Sequence, residues 1–255
     1  MMGRRLVKRK GTKKIALFVG LVLAFVCCGC ESAGKTEEAV SEDLPKIIVG
    51  SDNYPPYNYE NSNGEPTGID VELAKEAFHR MGYEAVFEYI NWEEKKELLE
   101  NGEIDCIWGS FSIDGREDVY RWTDPYMTSR QVVAVKEDSD ADPRIPELGA
   151  VFALQNRELI YPFLSKGYVD AIAAHETAIL QNIKNYGMEY RILDEPLLTV
   201  GLGVAFSLQD DRGLEMELSK AFAEMRRDGT MEEIIGRYLE HPESYLWEGT
   251  SVTLK

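Results

Sequence analysis

The alternation of strand and helix patterns between residues 46 and 108 limits this chain more than any other feature. Lys46–Ser51 (KIIVGS) is a β-branched run that predicts a buried strand. From Thr67 onward Leu73, Ala74, Ala77, Phe78 and Met81 recur at three- and four-residue spacing, and Gly82 ends the pattern, as in an amphipathic helix. Residues 84–90 alternate as a strand, residues 92–99 predict a short helix ending near Gly102, and residues 104–108 (IDCIW) a second buried strand. The order β-α-β-α-β predicts an α/β fold whose sheet is mostly parallel and carries helices on its faces.

Residues 129–135 read as a strand leaving this first lobe. A shorter α/β region follows, with helices over 157–164 and 176–186 and strands near 151–154, 168–173 and 189–193. Residues 199–206 (TVGLGVAF) predict a returning strand, and helices over 213–227 and 231–239 close the pattern. The expected division is residues 46–135 with 200–245 as one lobe, and 136–199 as the other.

Ligands of open α/β sheets sit at the carboxyl ends of the strands. Three segments fall there. The loop after residues 104–108 carries Gly109, Ser110, Ser112, Asp114 and Arg116. Small hydroxyls and exposed N–H groups beside a guanidinium suit a carboxylate, because Arg presents paired planar donors in charge-assisted bonds. The same composition also describes an ordinary polar loop with a solvated Arg. The loop after the first strand, Asp52-Asn-Tyr-Pro-Pro-Tyr-Asn-Tyr59, is stiffened by Pro55 and Pro56. Its tyrosines, Tyr54 and Tyr57 foremost, form either a ligand wall or a cover for a sheet edge. Trp92 stands at a strand–helix junction on the same end, either as part of the ligand wall or as core packing. The sequence holds no nucleophile elbow, phosphate loop or Cys/His spacing for a metal, so neither cofactor nor metal is expected.

The net charge of −17 conceals an asymmetry. Residues 1–29 hold seven Lys and Arg and no acid, leaving 45 acidic against 21 basic residues in the remainder. Such a body repels phosphates, which argues against a nucleic-acid partner. The basic segment precedes an apolar run over residues 15–26 and then Cys27-Cys28-Gly29-Cys30. The run is short for a membrane span and has the length of a signal-peptide core. It resembles a lipoprotein signal that is cleaved before a lipidated cysteine, with Cys30 the expected site because Gly29 precedes it, and Cys28 the alternative. An uncleaved anchor would also place the body outside the cytoplasm. Residues 31–44 (ESAGKTEEAVSEDL) are polar and acidic, a tether with a mean reach of roughly 20 Å. After cleavage Cys106 would be the remaining thiol, and its apolar strand marks it as core filling.

Five motifs, in order, resemble the bacterial extracellular solute-binding proteins of family 3: DNYPPYNYENSNGEPTGIDVELAKEAF, GEIDCIWGSFSIDGRE, DPY, GYVDAIAAHETA and MRRDGTMEEIIGRYL, spanning about residues 46–241. The resemblance implies a periplasmic-binding-protein-like fold of two α/β lobes joined by paired hinge strands, closing on a small polar, amino-acid-like solute. It implies a monomer that serves a membrane permease of an ABC transporter. Matched by position, Asp52 and Tyr54 would touch the solute, Tyr57 would belong to the same loop and Trp92 would stack on the solute. Ser110 and Ser112 would hydrogen-bond it beside Gly109, and Arg116 would clamp its carboxylate.

Three departures qualify the match. The Ser-to-Arg spacing is one residue shorter than the common family pattern. His175, followed by Glu176, stands where the family usually has an ammonium-binding Asp, so Glu176 becomes a substitute anion. The strand–helix unit that would follow residue 135 is missing, because the chain runs almost directly into Asp142-Pro-Arg-Ile-Pro146. A shortened second lobe follows, and with it weak binding of ordinary α-amino acids or none. The leading expectation is a lipid-anchored, non-enzymatic receptor. A sensor or remnant receptor is the alternative, and a dehydratase-like enzyme on the same scaffold would need His175 and Glu176 as its acid–base pair.

Overall fold

The computed structural model describes residues 44–140, 150–154 and 156–247. The expected signal, its expected lipidation site Cys30, most of the expected tether and the Asp142–Pro146 junction lie outside the described residues. The first sheet forms as the apolar patterns require. Strand β1 (Lys46–Ser51) is an inner strand of that sheet; β2 (Tyr59–Glu60) and β3 (Pro66–Thr67) make a small separate hairpin. Helix α1 (Ile69–Arg80) then buries Leu73, Ala74, Ala77 and Phe78 of the predicted stripe, with Ile69 added at its start, while the expected Met81 caps the helix end half-buried. Strand β4 (Glu84–Tyr89), a 3-10 turn (Trp92–Glu94), helix α2 (Lys95–Glu100) and β5 (Cys106–Ile107) complete the β-α-β-α-β unit, with β4 and β5 both parallel to β1. Cys106 is fully buried, and that burial pushes its thiol well up.

Strand β6 (Arg121–Trp122) is the last of this sheet before the chain crosses on β7 (Met127–Lys136), which is ten residues long. The crossing strand carries the second sheet. After a 3-10 turn (Arg157–Leu159) and α3 (Ile160–Ser165), β8 (Ala171–His175) pairs antiparallel with it. Helix α4 (Glu176–Tyr186), β9 (Tyr190–Ile192) and β10 (Leu198–Leu202) follow, and β9 and β10 also run antiparallel to β7. The chain returns along β10 to β11 (Ala205–Phe206), which enters the first sheet between β5 and β6. Helices α5 (Leu214–Arg227) and α6 (Thr230–Gly236) pack on the first lobe, where Phe222 meets Trp108 and Tyr126. The fold is thus two-lobed, with β7 and β10 as paired crossing strands and a second lobe smaller than the first.

Three expectations are corrected. Residues 199–206 form two strands, because Gly203 turns the chain against Ile113 and Trp122 between the crossing pair and the first sheet. Residues 151–154 form no strand: their apolar run has no strand beside it, and Val151 and Phe152 stay exposed at 76% and 75%. The strand expected over 168–173 begins at Ala171, since Tyr168 is still closing α3 through its N–H to the Phe163 carbonyl at 2.9 Å. Among the described residues between β7 and Arg157 there is no strand–helix unit, which leaves β8 at the edge of its sheet.

Candidate functional site

A cleft of about 320 Å³ lies between the lobes. The first lobe contributes Tyr54, Trp92, Ser110, Phe111, Ser112 and Arg116; the second contributes Phe152, Ala153, Leu154, Arg157, Ile160 and the β8 residues Ala173, Ala174 and His175, with Gln131 on the crossing strand. Six of the ten residues expected to hold ligand therefore line one cavity: Tyr54, Trp92, Ser110, Ser112, Arg116 and His175.

The first-lobe wall is held from beneath. Gly68 adopts φ 119°, and a Cβ there would stand 2.3 Å from the Tyr57 carbonyl, so glycine is required where the tyrosine loop docks on α1. The Ile69 and Asp70 N–H groups donate to the Pro56 and Tyr57 carbonyls at 3.0 and 2.8 Å. Tyr57 and Tyr54 stack at 5.9 Å between centroids, and both meet the His175 ring edge-on. Tyr57 itself is fully buried: the Thr177 hydroxyl donates to its phenol oxygen at 2.7 Å, and Ser129 Oγ lies 3.3 Å away. The expectation of Tyr57 as a ligand wall is corrected, because its polar end is spent on the second lobe. It backs Tyr54 instead.

Trp92 rests edge-on against Phe111 at 5.3 Å and covers Gly109. A Cβ at Gly109 would come within 3.2 Å of the indole, so that glycine seats Trp92 and does not itself line the cleft. Ser110 sits at φ 45°, an unusual conformation for a residue with a side chain, and its N–H donates to Asp70 Oδ2 at 2.6 Å. Tyr126 donates to Asp70 Oδ1 at 2.8 Å. Burial pushes the Asp70 carboxyl up to about 7 against the pull of these donors. Arg116 is exposed at the rim, its guanidinium 5.2 Å from the Phe111 ring centroid. Nη1 donates to the Ser112 and Asp114 carbonyls at 3.2 and 3.3 Å, and among the described residues the other guanidinium nitrogens have no protein acceptor. Ser112 Oγ donates to Asp114 at 3.3 Å.

His175 is buried, with Nδ1 2.7 Å from Ser129 Oγ and Nε2 3.0 Å from Gln131 Nε2. Burial, and then the charge of Arg157, push it down to about 3, so the ring is neutral at ordinary pH. Glu176 does not line the cleft: it faces Arg130, 3.4 Å away, and its place as the substitute anion is corrected. Asp52 stands behind the lining, 3.1 Å from Arg157 Nε. Burial raises its carboxyl while Arg157 pulls it back down.

Sequence reasoning missed Arg157, Gln131, Phe111 and Asp70. Asp70 had a signal, since it falls on the apolar stripe of α1 three, four and seven residues before Leu73, Ala74 and Ala77. Gln131 lies two residues beyond Ser129 on one face of β7. Nothing local marked Arg157, which opens a short helix pattern and acts across the lobes.

The pattern of the bacterial extracellular solute-binding proteins, family 3, matches residues 47–241. The histidine-binding periplasmic protein of Salmonella typhimurium is 29% identical over 262 residues, covering 89% of this chain and 97% of that protein. Among solved structures, an ancestral arginine-binding protein bound to arginine superposes with a TM-score of 0.69 at 22% identity, covering 78% of this chain and all of that one. An ancestral amino-acid-binding protein described as a precursor of cyclohexadienyl dehydratase does so at 0.66 and 21%, covering 76% and 95%. These two likenesses are of fold. With the match to the family's pattern over most of its length, the two-lobed chain belongs to the bacterial extracellular solute-binding proteins of family 3.

Proposed function

We propose that this protein is an extracytoplasmic receptor that binds a small, polar, amino-acid-like solute between its lobes and delivers it to the permease of an ABC transporter. The observation that carries the reading is the convergence of Tyr54, Trp92, Ser110, Ser112, Arg116 and His175, from both lobes, on one cavity of about 320 Å³. Arg116 is the carboxylate clamp: it keeps free donors at the rim, and Ser112 and the Ser110 loop stand beside it. The jaws are residues 46–135 with 200–245 and residues 136–199, hinged on β7 and β10. The protein works as a monomer held to the membrane by a lipid on Cys30, a reading supported by the basic–apolar–cysteine order of the N-terminus.

Binding without chemistry is favoured over catalysis by the fate of the one candidate acid–base pair. Glu176 is turned to Arg130, and neutral His175 is engaged with Ser129 and Gln131. The test is a thermal-shift and calorimetric screen of the full chain, purified in detergent, against the common amino acids. A solute at a hundredfold excess over its Kd adds about 2.7 kcal/mol of stability, a readily measured rise in Tm. Saturable binding of at least one amino acid is expected, in the weaker range that a reduced second lobe implies. No binding by any of them at millimolar concentration would overturn the reading.

A further inference from the structure

Arg157 is the side chain that spans the cleft. Asn156 caps its 3-10 turn, accepting from the Glu158 N–H at 2.8 Å, and the guanidinium projects from the second lobe into the first. There it lies 4.5 Å from the ring centroid of Tyr54 and 4.8 Å from that of Trp92. Nε stands 3.1 Å from Asp52, and Nη1 donates to Ser110 Oγ at 3.4 Å. Two aromatic rings and a carboxylate form a receptor for a planar cation, matching its charge, its stacking face and its in-plane donors. The second carboxylate oxygen, Asp52 Oδ1, is buried without a hydrogen-bond partner among the described residues, so the receptor is only half used by Arg157.

We propose that Arg157 is a tethered occupant of a cation subsite, which fills the place of a basic solute's side chain and makes the cleft refuse arginine. The inference rests on the reading of this cavity as the solute site, and adds the class it excludes and the residue responsible. The surrounding charge acts in the same direction. Arg116 and Arg157 both line the cleft, and Lys95 stands 4.9 Å from the same Trp92 ring. The nearby carboxylates are committed, Asp52 to Arg157 and Glu176 to Arg130. An incoming cation meets positive charge and an occupied seat, whereas a neutral or acidic side chain meets donors.

The test is calorimetric titration of the full chain and its Arg157→Ala variant with L-arginine, and separately with L-glutamate. Removal of Arg157 should tighten arginine binding at least tenfold, and adding Asp52→Asn to that variant should abolish the gain. Arginine binding by the parent chain at micromolar Kd would overturn the proposal by itself. So would Arg157→Ala and Arg157→Gln variants that melt as cooperatively as the parent yet take arginine no better. A parent that binds glutamate, with no gain of arginine in the variants, leaves the receptor reading standing and removes the occupant. A parent that binds none of the common amino acids at millimolar concentration, with an Arg157→Ala variant that binds arginine, keeps the occupant and removes the receptor reading.

Discussion

At the scale of the residue, three side chains in and behind the cleft carry tests of their own. If Arg116 clamps a carboxylate, it does so through the guanidinium donors that the described residues leave unused. Its replacement by Ala should weaken solute binding by about 1.5–3 kcal/mol, roughly tenfold to a hundredfold in Kd. Lys at that position should restore little, because an ammonium cannot reproduce paired planar donors; wild-type affinity in either variant, measured by calorimetry, would move the clamp elsewhere. Asp70 and His175 bias stability against pH in opposite directions. The Asp70 carboxyl is raised from an ordinary 3.8 to about 7, so the folded state holds a proton that the unfolded chain releases. That contribution is complete below about pH 4 and is lost as pH rises through 7. His175 is lowered from an ordinary 6.5 to about 3, so its contribution is complete above 6.5 and fades as pH falls. In urea titrations between pH 4 and 8, Asp70→Asn should therefore gain on the wild type as pH rises. His175→Gln should gain on it as pH falls. Parallel pH profiles for wild type and variant would remove the group concerned.

At the scale of the element, the tyrosine loop and the N-terminus of α1 form one unit. The loop accepts the first N–H groups of the helix, and Gly68 makes the close approach to Tyr57 possible. Gly68→Ala adds a Cβ against a backbone carbonyl at an unfavourable φ, a change expected to cost on the order of 3 kcal/mol. Because Tyr54 stands on that loop, solute affinity should fall with the denaturation midpoint; an unchanged midpoint would mean that the loop yields freely. The second sheet shows the converse economy. Every strand in it borders β7, so the crossing strand is at once the hinge and the sheet's axis. The ends of that strand carry unlike duties, Ser129 and Gln131 facing His175 near the cleft and residues 134–136 pairing with β9.

At the scale of the whole molecule, the body and its N-terminal segment are separate questions. If Cys30 carries the lipid, Cys30→Ser should release the protein from membranes or leave an unprocessed precursor, read by fractionation and intact mass; unchanged mass and fractionation would refute the assignment. Diacylation is what holds such a protein stably, since a single acyl chain binds only marginally. For the body, local sequence alone determined the β-α-β-α-β elements with which the first lobe begins, but not the short strands β2, β3 and β6. A three- and four-residue apolar rhythm buries one face of α1, a β-branched run makes β1 and an alternating pattern makes β4, whatever lies around them. It also placed Trp92, Ser110, Ser112 and Arg116 at the carboxyl ends of those strands, because strand-to-loop position follows directly from element order. Tertiary structure alone decided the roles that depend on contacts between residues far apart in the chain. Tyr57 is withdrawn into the lobe contact by Thr177 and Ser129, Glu176 is turned away by Arg130, and Asp70 is buried under Ser110. Arg157 is the extreme case, a helix-start residue whose partners Asp52, Tyr54 and Trp92 lie 65 or more positions earlier in the chain. Periodicity records which face of an element is apolar, but the destination of a long charged side chain is chosen by whatever the other lobe brings within its reach.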